Sequence, residues 1–404
     1  MKILHIIPSV ASVRGGPSQA VLETVKALRN QGVVAEIATT NDNGNDLLDV
    51  PLNQSTEYQE VPIWFFSRFS PEVNSIREFA FSSQLTSWLW QNAANYDLLH
   101  IHAIFSYAST VAMAIARLKG IPYIVRPLGQ LCEWSLRQSP RKKQIYLQLI
   151  EKANLNDSQY IHFTAELEQQ EASRLNLISP SFILPHGLAI PNNIPNARQR
   201  LRQHLKLPTD EPIILFLSRL HPKKGLDYLI PALEKVYDYR FTLVLAGAGS
   251  PEYETEVKSL LVSHGIQNRT HFTGFVKGEM KDLLMQGADL FTLTSYSENF
   301  GVAVMEALAA GVPVVVTPGV AVADIVVRNH LGYVAELDIA AIAVCIQQAL
   351  DYPHEAKEMG DRARQFILEN YTWDTVASKL ILIYQDIIRK THKNPVSLDD
   401  EVSG

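Results

Sequence analysis

Apolar runs of four to six residues recur along the chain, and most are followed by a longer stretch with helical spacing. Such alternation admits few architectures. Parallel strands need long crossovers, and those crossovers are usually helices lying on the sheet faces, so the strands between them read as near-continuous apolar runs. In the first half the pattern predicts a strand over 3–7, a turn at Gly15-Gly16-Pro17, a helix over 18–29 stopped by Gly32, and a strand over 33–39. Residues 97–102 and 123–126 read as further strands of the same sheet. A second alternation follows: strands over 213–217, 241–246, 289–294 and 313–317, with helices over 226–236, 252–264 and 300–310. The stretch 184–196 between them is rich in Pro and Asn, which suits a connection between domains. The expectation is α/β with two domains, 1–190 and 191–372. A last helix, 373–390, carries Val376, Leu380, Ile383, Tyr384, Ile387 and Ile388 on one stripe and is expected to pack back on the first domain.

Composition removes several alternatives. The 404 residues suit roughly two domains of about 100–200 residues each. With 47% apolar and 19% charged residues the chain has material for two cores, and a net charge of -6 argues against a nucleic-acid protein. Cys132 and Cys345 stand far apart, so neither a disulfide framework nor a thiolate metal site is indicated. The apolar start contains His5 and stops at Pro8, which reads as a strand and not as a signal peptide. The longest apolar region, 300–316, is broken by Glu306, Gly311 and Pro313 and does not read as a membrane span. A cytoplasmic location is expected.

Chemistry concentrates at two strand ends. In 297–308, a strand gives way to a helix near Phe300, with the small residues Gly301 and Ala303 in its first turn. Ligands of parallel α/β sheets sit just past the carboxyl ends of strands, and free amides at a helix start favour an anion such as a diphosphate. Glu306 lies inside that otherwise apolar helix, where an unpartnered carboxylate costs several kcal/mol, on the order of 2–7 for a polar group. Either ligand hydroxyls or a Lys, Arg or backbone N–H must satisfy it. The loop after the 213–217 strand brings Arg219, Lys223 and Lys224 together across a Pro–Gly turn, which suits either a phosphate clamp or a solvated turn. In the first half, Gly15 and Gly16 allow close backbone approach but lack the Gly-x-Gly-x-x-Gly spacing of a dinucleotide site. His102 ends an apolar strand where it could touch a sugar or phosphate or serve the core. No Asp-x-Asp occurs, so no metal is expected to neutralise a departing diphosphate.

Together, Glu298-x7-Glu306, Ser-Arg-Leu-x-Pro-Lys-Lys-Gly at 218–225, Leu-Ala-Gly-Ala-Gly at 245–249 and Phe-x-Gly-Phe-Val at 272–276 resemble the family-4 retaining glycosyltransferases of GT-B architecture. The Gly-Gly-Pro loop, His102 and the helix from Trp373 match as well, and the likeness spans nearly the whole chain. It implies two Rossmann-like domains facing across a cleft, the second binding the donor. It assigns Arg219 and Lys224 to the diphosphate, with the amides of Phe300, Gly301 and Val302, and Glu306 to the ribose. The turn at Gly247 and the backbone of Phe275 and Val276 face the nucleotide, and Glu298 and Asn299 the sugar. His102, Gly15 and Gly16 approach from the other domain. The resemblance further implies retention of configuration without a metal or an enzymic base, and UDP-glucose is the favoured donor, ahead of GDP-mannose.

The segment from Arg126 to Leu136 resembles a polysaccharide-assembly subgroup, placing Arg126 on the acceptor side or in the core. The acceptor implied is a growing exopolysaccharide or a lipid-linked glycan. Aromatics at Trp64, Phe65, Phe66 and Phe69, with Arg137, Arg141, Lys142 and Lys143, suit either peripheral contact with the inner face of a membrane or a core and a solvated helix. A nucleotide-sugar epimerase or phosphorylase of the same shape, or a non-catalytic sugar-binding scaffold, are the alternatives.

Overall fold

The computed structural model describes residues 1–72, 77–137, 140–298 and 300–393. They form two compact units, residues 1–187 with the helix Trp373–Lys393, and residues 188–372.

Unit 1 contains β1 (Lys2–Ile6), β2 (Val34–Thr40), the short antiparallel pair β3 (Asp42–Asn43) and β4 (Asp46–Leu47), β5 (Ser55–Tyr58), β6 (Val61–Phe66), β7 (Leu98–His102), β8 (Tyr123–Arg126), β9 (Tyr160–Phe163) and β10 (Ser181–Ile183). One sheet runs β10-β9-β8-β7-β1-β2-β6-β5, parallel throughout except for the β5–β6 hairpin. Side chains alternate across this sheet. Leu4, Ile6, Leu99 and Ile101 face the helices Ser83–Asn92 and Tyr107–Lys119. Ile3, Ile7, Leu98 and Ile124 face the helix Gly16–Asn30 and the C-terminal helix, which contributes Val376, Leu380, Tyr384 and Ile387.

The aromatic run from Trp64 needs correction. Trp64, Phe65 and Phe66 are part of β6, where Phe65 and Phe66 are buried and the Trp64 indole donates to Glu36 at 3.0 Å. Arg68 is buried on Asp42. These groups are core, and only Phe69 of the run is exposed.

Unit 2 contains β11 (Ile213–Leu217), β12 (Thr242–Ala246), β13 (Thr270–Gly274), β14 (Leu290–Leu293), β15 (Val314–Val316) and β16 (Gly332–Val334) in the order β13-β12-β11-β14-β15-β16, all parallel. The helix expected from Phe300 starts later. Gly301 takes a left-handed conformation (φ 70°), Phe300 drops into the core, and the helix runs Val302–Ala309. In each sheet the order reverses beside the first strand, between β1 and β7 in unit 1 and between β11 and β14 in unit 2. Crevices outside the strand ends open at such reversals.

Candidate functional site

At the reversal in unit 2 the loop after β11 and the loop after β14 are joined by their backbones. The Thr294 hydroxyl donates to the Gly225 carbonyl at 2.8 Å, and the Tyr296 amide donates to the Lys223 carbonyl at 3.0 Å. Gly225 is required there. Its φ is 70°, and a Cβ would lie 1.9 Å from the Thr294 carbonyl oxygen. This close seam brings Lys224 into an ion pair with Glu298. Glu298 is held in turn by the exit of β15: its amide donates to the Gly319 carbonyl at 2.8 Å, and its carbonyl accepts from Ala321 at 3.0 Å. Arg219 projects from the same loop, exposed and without a hydrogen-bond or ion-pair partner among the described residues.

Glu306 is not the isolated carboxylate that its apolar neighbours imply. It is half-buried, and Lys281, on the helix Gly278–Gly287, donates to its Oε1 at 2.8 Å. Lys281 is the residue of this site that sequence reasoning missed. Its only signal is a lone cation between Met280 and Leu283, which pack toward the core. In front of Glu306, Gly301 caps the helix, and among the described residues no side chain bonds its first-turn amides, which begin with Val302, itself exposed. Gly247 follows β12 with φ 142°, and a Cβ there would strike the Ser218 carbonyl at 1.8 Å, so the β12 exit is pressed against the β11 exit. Phe275 follows β13 and is exposed, while Val276 packs partly on the core. Asn299 lies outside the described residues. Arg219, Lys224, Gly247, Phe275, Val276, Glu298, Phe300, Gly301, Val302 and Glu306 thus all belong to the carboxyl edge of one sheet or the helix start next to it.

The unit 1 residues divide differently. Gly15 and Gly16 are exposed at the start of the helix Gly16–Asn30, and a Cβ on either would meet nothing within 4 Å. His102 and Arg126 correct their expected positions, since they are 1% and 2% exposed. Both belong to a buried polar row that crosses the sheet face beneath the C-terminal helix. Register sets the row: His5 pairs with His100, His102 with Arg126, and His162 lies on β9.

A neutral imidazole offers one donor and one acceptor, and a connected path through the row uses both. The Tyr384 hydroxyl donates to His100 Nδ1 at 2.6 Å, His100 Nε2 to His162 Nδ1 at 3.3 Å, and His162 Nε2 to the Leu184 carbonyl at 2.7 Å. His5 Nδ1 and His102 Nε2 share a hydrogen bond of 2.9 Å, and Arg126 Nη2 meets His186 Nδ1 at 3.1 Å. Burial first, and the Arg126 charge after it, lowers His5 to about 3. His100, His102 and His162 are lowered well below the ordinary imidazole value, again chiefly by burial. Burial lowers Arg126 itself to about 10. His5, His100 and His102 present ring nitrogens within 4.8 Å of one another. The buried guanidinium in the same row works against a cation there, and both His100 nitrogens, His5 Nδ1 and His102 Nε2 already bond to neighbours, while buried His5 Nε2 has no partner among the described residues.

A cavity of about 780 Å³ in unit 2 lies away from these residues, at the amino ends of β11, β14 and β15, where Asp289 holds Arg198 and Arg202. Among the described residues no helix is long and apolar enough to cross a membrane.

Residues 15–183 match the glycosyl transferase 4-like domain, and residues 197–366 match the glycosyl transferases group 1. A D-inositol 3-phosphate glycosyltransferase of Corynebacterium efficiens is 24% identical over 391 residues, covering 92% of this chain and 90% of its own. The uncharacterized glycosyltransferase MJ1607 of Methanocaldococcus jannaschii is 30% identical over 186 residues, 46% of this chain and 47% of that protein, so there the match spans about half the relative. The Anabaena protein Alr3699/HepE, solved in complex with UDP and glucose, superposes with a TM-score of 0.73 at 19% identity, covering 96% of this chain and 100% of that one. Matched in both halves, and with two parallel α/β sheets of GT-B type, this chain belongs to the group 1, 4-like glycosyltransferases.

Proposed function

We propose that the chain transfers a hexosyl group, with retention and without a metal, from a nucleoside diphosphate sugar to an acceptor hydroxyl. The observation that carries this reading is the seam between β11 and β14, where Lys224 pairs with Glu298 on loops that also carry exposed Arg219 and lead into the helix at Val302. Arg219, Lys224 and the first-turn amides of that helix neutralise the diphosphate as it departs, which is the largest electrostatic demand of the reaction. The bond from the anomeric carbon to phosphate oxygen breaks, the bond to the acceptor oxygen forms on the same face, and the acceptor proton passes to the leaving phosphate. Glu298 addresses the sugar hydroxyls. Glu306 keeps one carboxylate oxygen for the ribose while Lys281 holds the other. UDP-glucose is the favoured donor, supported by the UDP and glucose bound to the Anabaena protein. The acceptor belongs to exopolysaccharide or lipid-linked glycan assembly. Exposed Trp134, Ile145 and Leu149 near Arg137 and Arg141 support a peripheral membrane contact from unit 1.

Calorimetric titration with UDP, GDP and ADP in EDTA tests the donor site. One nucleotide should bind without metal, and Lys224→Ala and Glu306→Ala should each weaken it. Absence of binding, or indifference to both substitutions, overturns the assignment.

A further inference from the structure

The reversal in unit 1 opens into its own cavity, about 250 Å³, walled by Ile7–Ser9 after β1, Ala103–Ser106 after β7, and Leu128 and Gln130 after β8. Its walls are strained. Ala80, Ala103, Phe105 and Leu128 all line it, and all hold left-handed backbone, with φ of 55°, 67°, 56° and 57°. Side chains rarely adopt that conformation, and where it gathers the surrounding structure imposes it for a purpose. Here the imposing groups are visible. Gln130 Oε1 accepts from the Ile104 amide at 2.5 Å, and Glu151 Oε1 accepts from the Phe105 amide at 3.4 Å. Glu151 reaches that amide from a single π turn, Leu147–Glu151, an insertion common at functional positions.

Charge decides what such a cavity can hold. Arg14 is the cation on its wall, and its fork is occupied. Nε and Nη2 donate to the two oxygens of Asp42 at 2.7 and 2.8 Å, and Nη1 donates to Glu78 at 2.7 Å. Asp42 also holds buried Arg68, so two guanidiniums are matched by two carboxylates and no positive charge is left over. A phosphate entering here would have to displace a carboxylate from Arg14 and stand beside it. Among the described charged and amide side chains of the wall, what remains for a ligand is the amide NH₂ of Gln130 and the second oxygen of Glu78, one donor group and one acceptor suited to hydroxyls.

We propose that this pocket receives the acceptor as an uncharged polyhydroxylated ring and discriminates against its phosphorylated counterpart. The assignment rests on the transferase reading above. It departs from the Corynebacterium relative, whose name gives inositol 3-phosphate as its acceptor.

The test uses the full chain, saturated with UDP, and two ligand pairs: glucose with glucose 6-phosphate, and myo-inositol with inositol 3-phosphate. Saturation-transfer NMR titrations should show the neutral member of at least one pair binding about tenfold or more tighter. Glu78→Lys, at an exposed position, should reverse that preference. Tighter binding of the phosphorylated members to the unaltered chain overturns the proposal. So does a preference unmoved by Glu78→Lys, or no binding of either pair while UDP binds. If UDP fails to bind and the sugar preference still holds, the donor reading fails and the pocket assignment stands.

Discussion

Each unit gathers polar side chains at the centre of a parallel sheet, and the two gatherings are opposite in state. In unit 1, His5, His100, His102, His162 and Arg126 lie across the sheet face within the strands, sealed by the C-terminal helix and bonded to one another or to immediate neighbours. In unit 2, Lys224, Glu298, Lys281 and Glu306 lie beyond or beside the strand ends and keep between 12% and 30% of their side chains exposed. The contrast teaches that cover over the sheet, more than polarity, separates a structural cluster from an accessible one. A polar group within a strand under a packed helix must find its partners inside. A group past the strand end can exchange its partner for a ligand.

Acid should separate the units most. The four buried rings of unit 1 are neutral in the fold, with values lowered by burial from an unfolded value of about 6.5. The unfolded chain therefore binds protons that the fold excludes. Stability is fully present above about pH 6.5 and is lost as pH falls below it, at up to about 1.4 kcal/mol per pH unit per ring, or about 5.6 for four. Hydrogen exchange between pH 7 and pH 5 should show β1, β7 and β9 losing protection before β11 and β14. Simultaneous loss in both units would break the comparison.

Lys224→Ala comes next. If Lys224 faces a departing diphosphate as proposed, its removal should lower kcat/KM by about 10²–10³, near 3–4 kcal/mol, with an unchanged melting profile. A stability loss without a rate loss would move Lys224 into the structural class. Glu306 should be smaller and more specific. The unaltered chain should prefer the ribonucleotide over its 2′,3′-dideoxy analogue by about 2 kcal/mol, and Glu306→Ala should abolish that preference. Measuring both nucleotides against both proteins by calorimetry decides it, and a preference surviving in Glu306→Ala excludes the ribose role. Tyr384→Phe should be smallest, removing the donor to His100 at a cost of about 1 kcal/mol in chemical denaturation and leaving nucleotide affinity intact.

Much of this was legible in the sequence, and unevenly so. Strands β1, β2, β7, β8, β11, β12, β14 and β15 match the apolar runs to within a residue, because central strands covered on both faces carry their own signature. The edges are less legible. β13 reads Thr-His-Phe-Thr-Gly, and β10 and β16 span three residues each, since an edge strand needs no apolar run. β6 carries Pro62 and a cluster of aromatics that fits a surface patch as well as a core. In the candidate site, loops that follow strands directly place Arg219, Lys224 and Glu298, so sequence order is enough to group them. Lys281 meets Glu306 only through helix packing, 25 positions away, and no local pattern marks it. The histidine row is hidden for a similar reason. The rings are spread over three apolar runs, two of them on β7, and only the register β1–β7–β8–β9 aligns them.

Unit 1 is discontinuous in the chain, and this orders its birth on the ribosome. Its sheet begins with β1, yet Val376, Leu380, Tyr384 and Ile387, which roof one face, are made only after the whole of unit 2. Unit 2 is one uninterrupted stretch and can close as soon as it emerges. At synthesis rates of about 5–20 residues per second, the roughly 185 intervening residues leave the unit 1 face open for on the order of 10–40 s. The unit that starts first is completed last, and during that interval its exposed apolar face and unsheltered histidines are the part of the nascent chain that chaperones must guard.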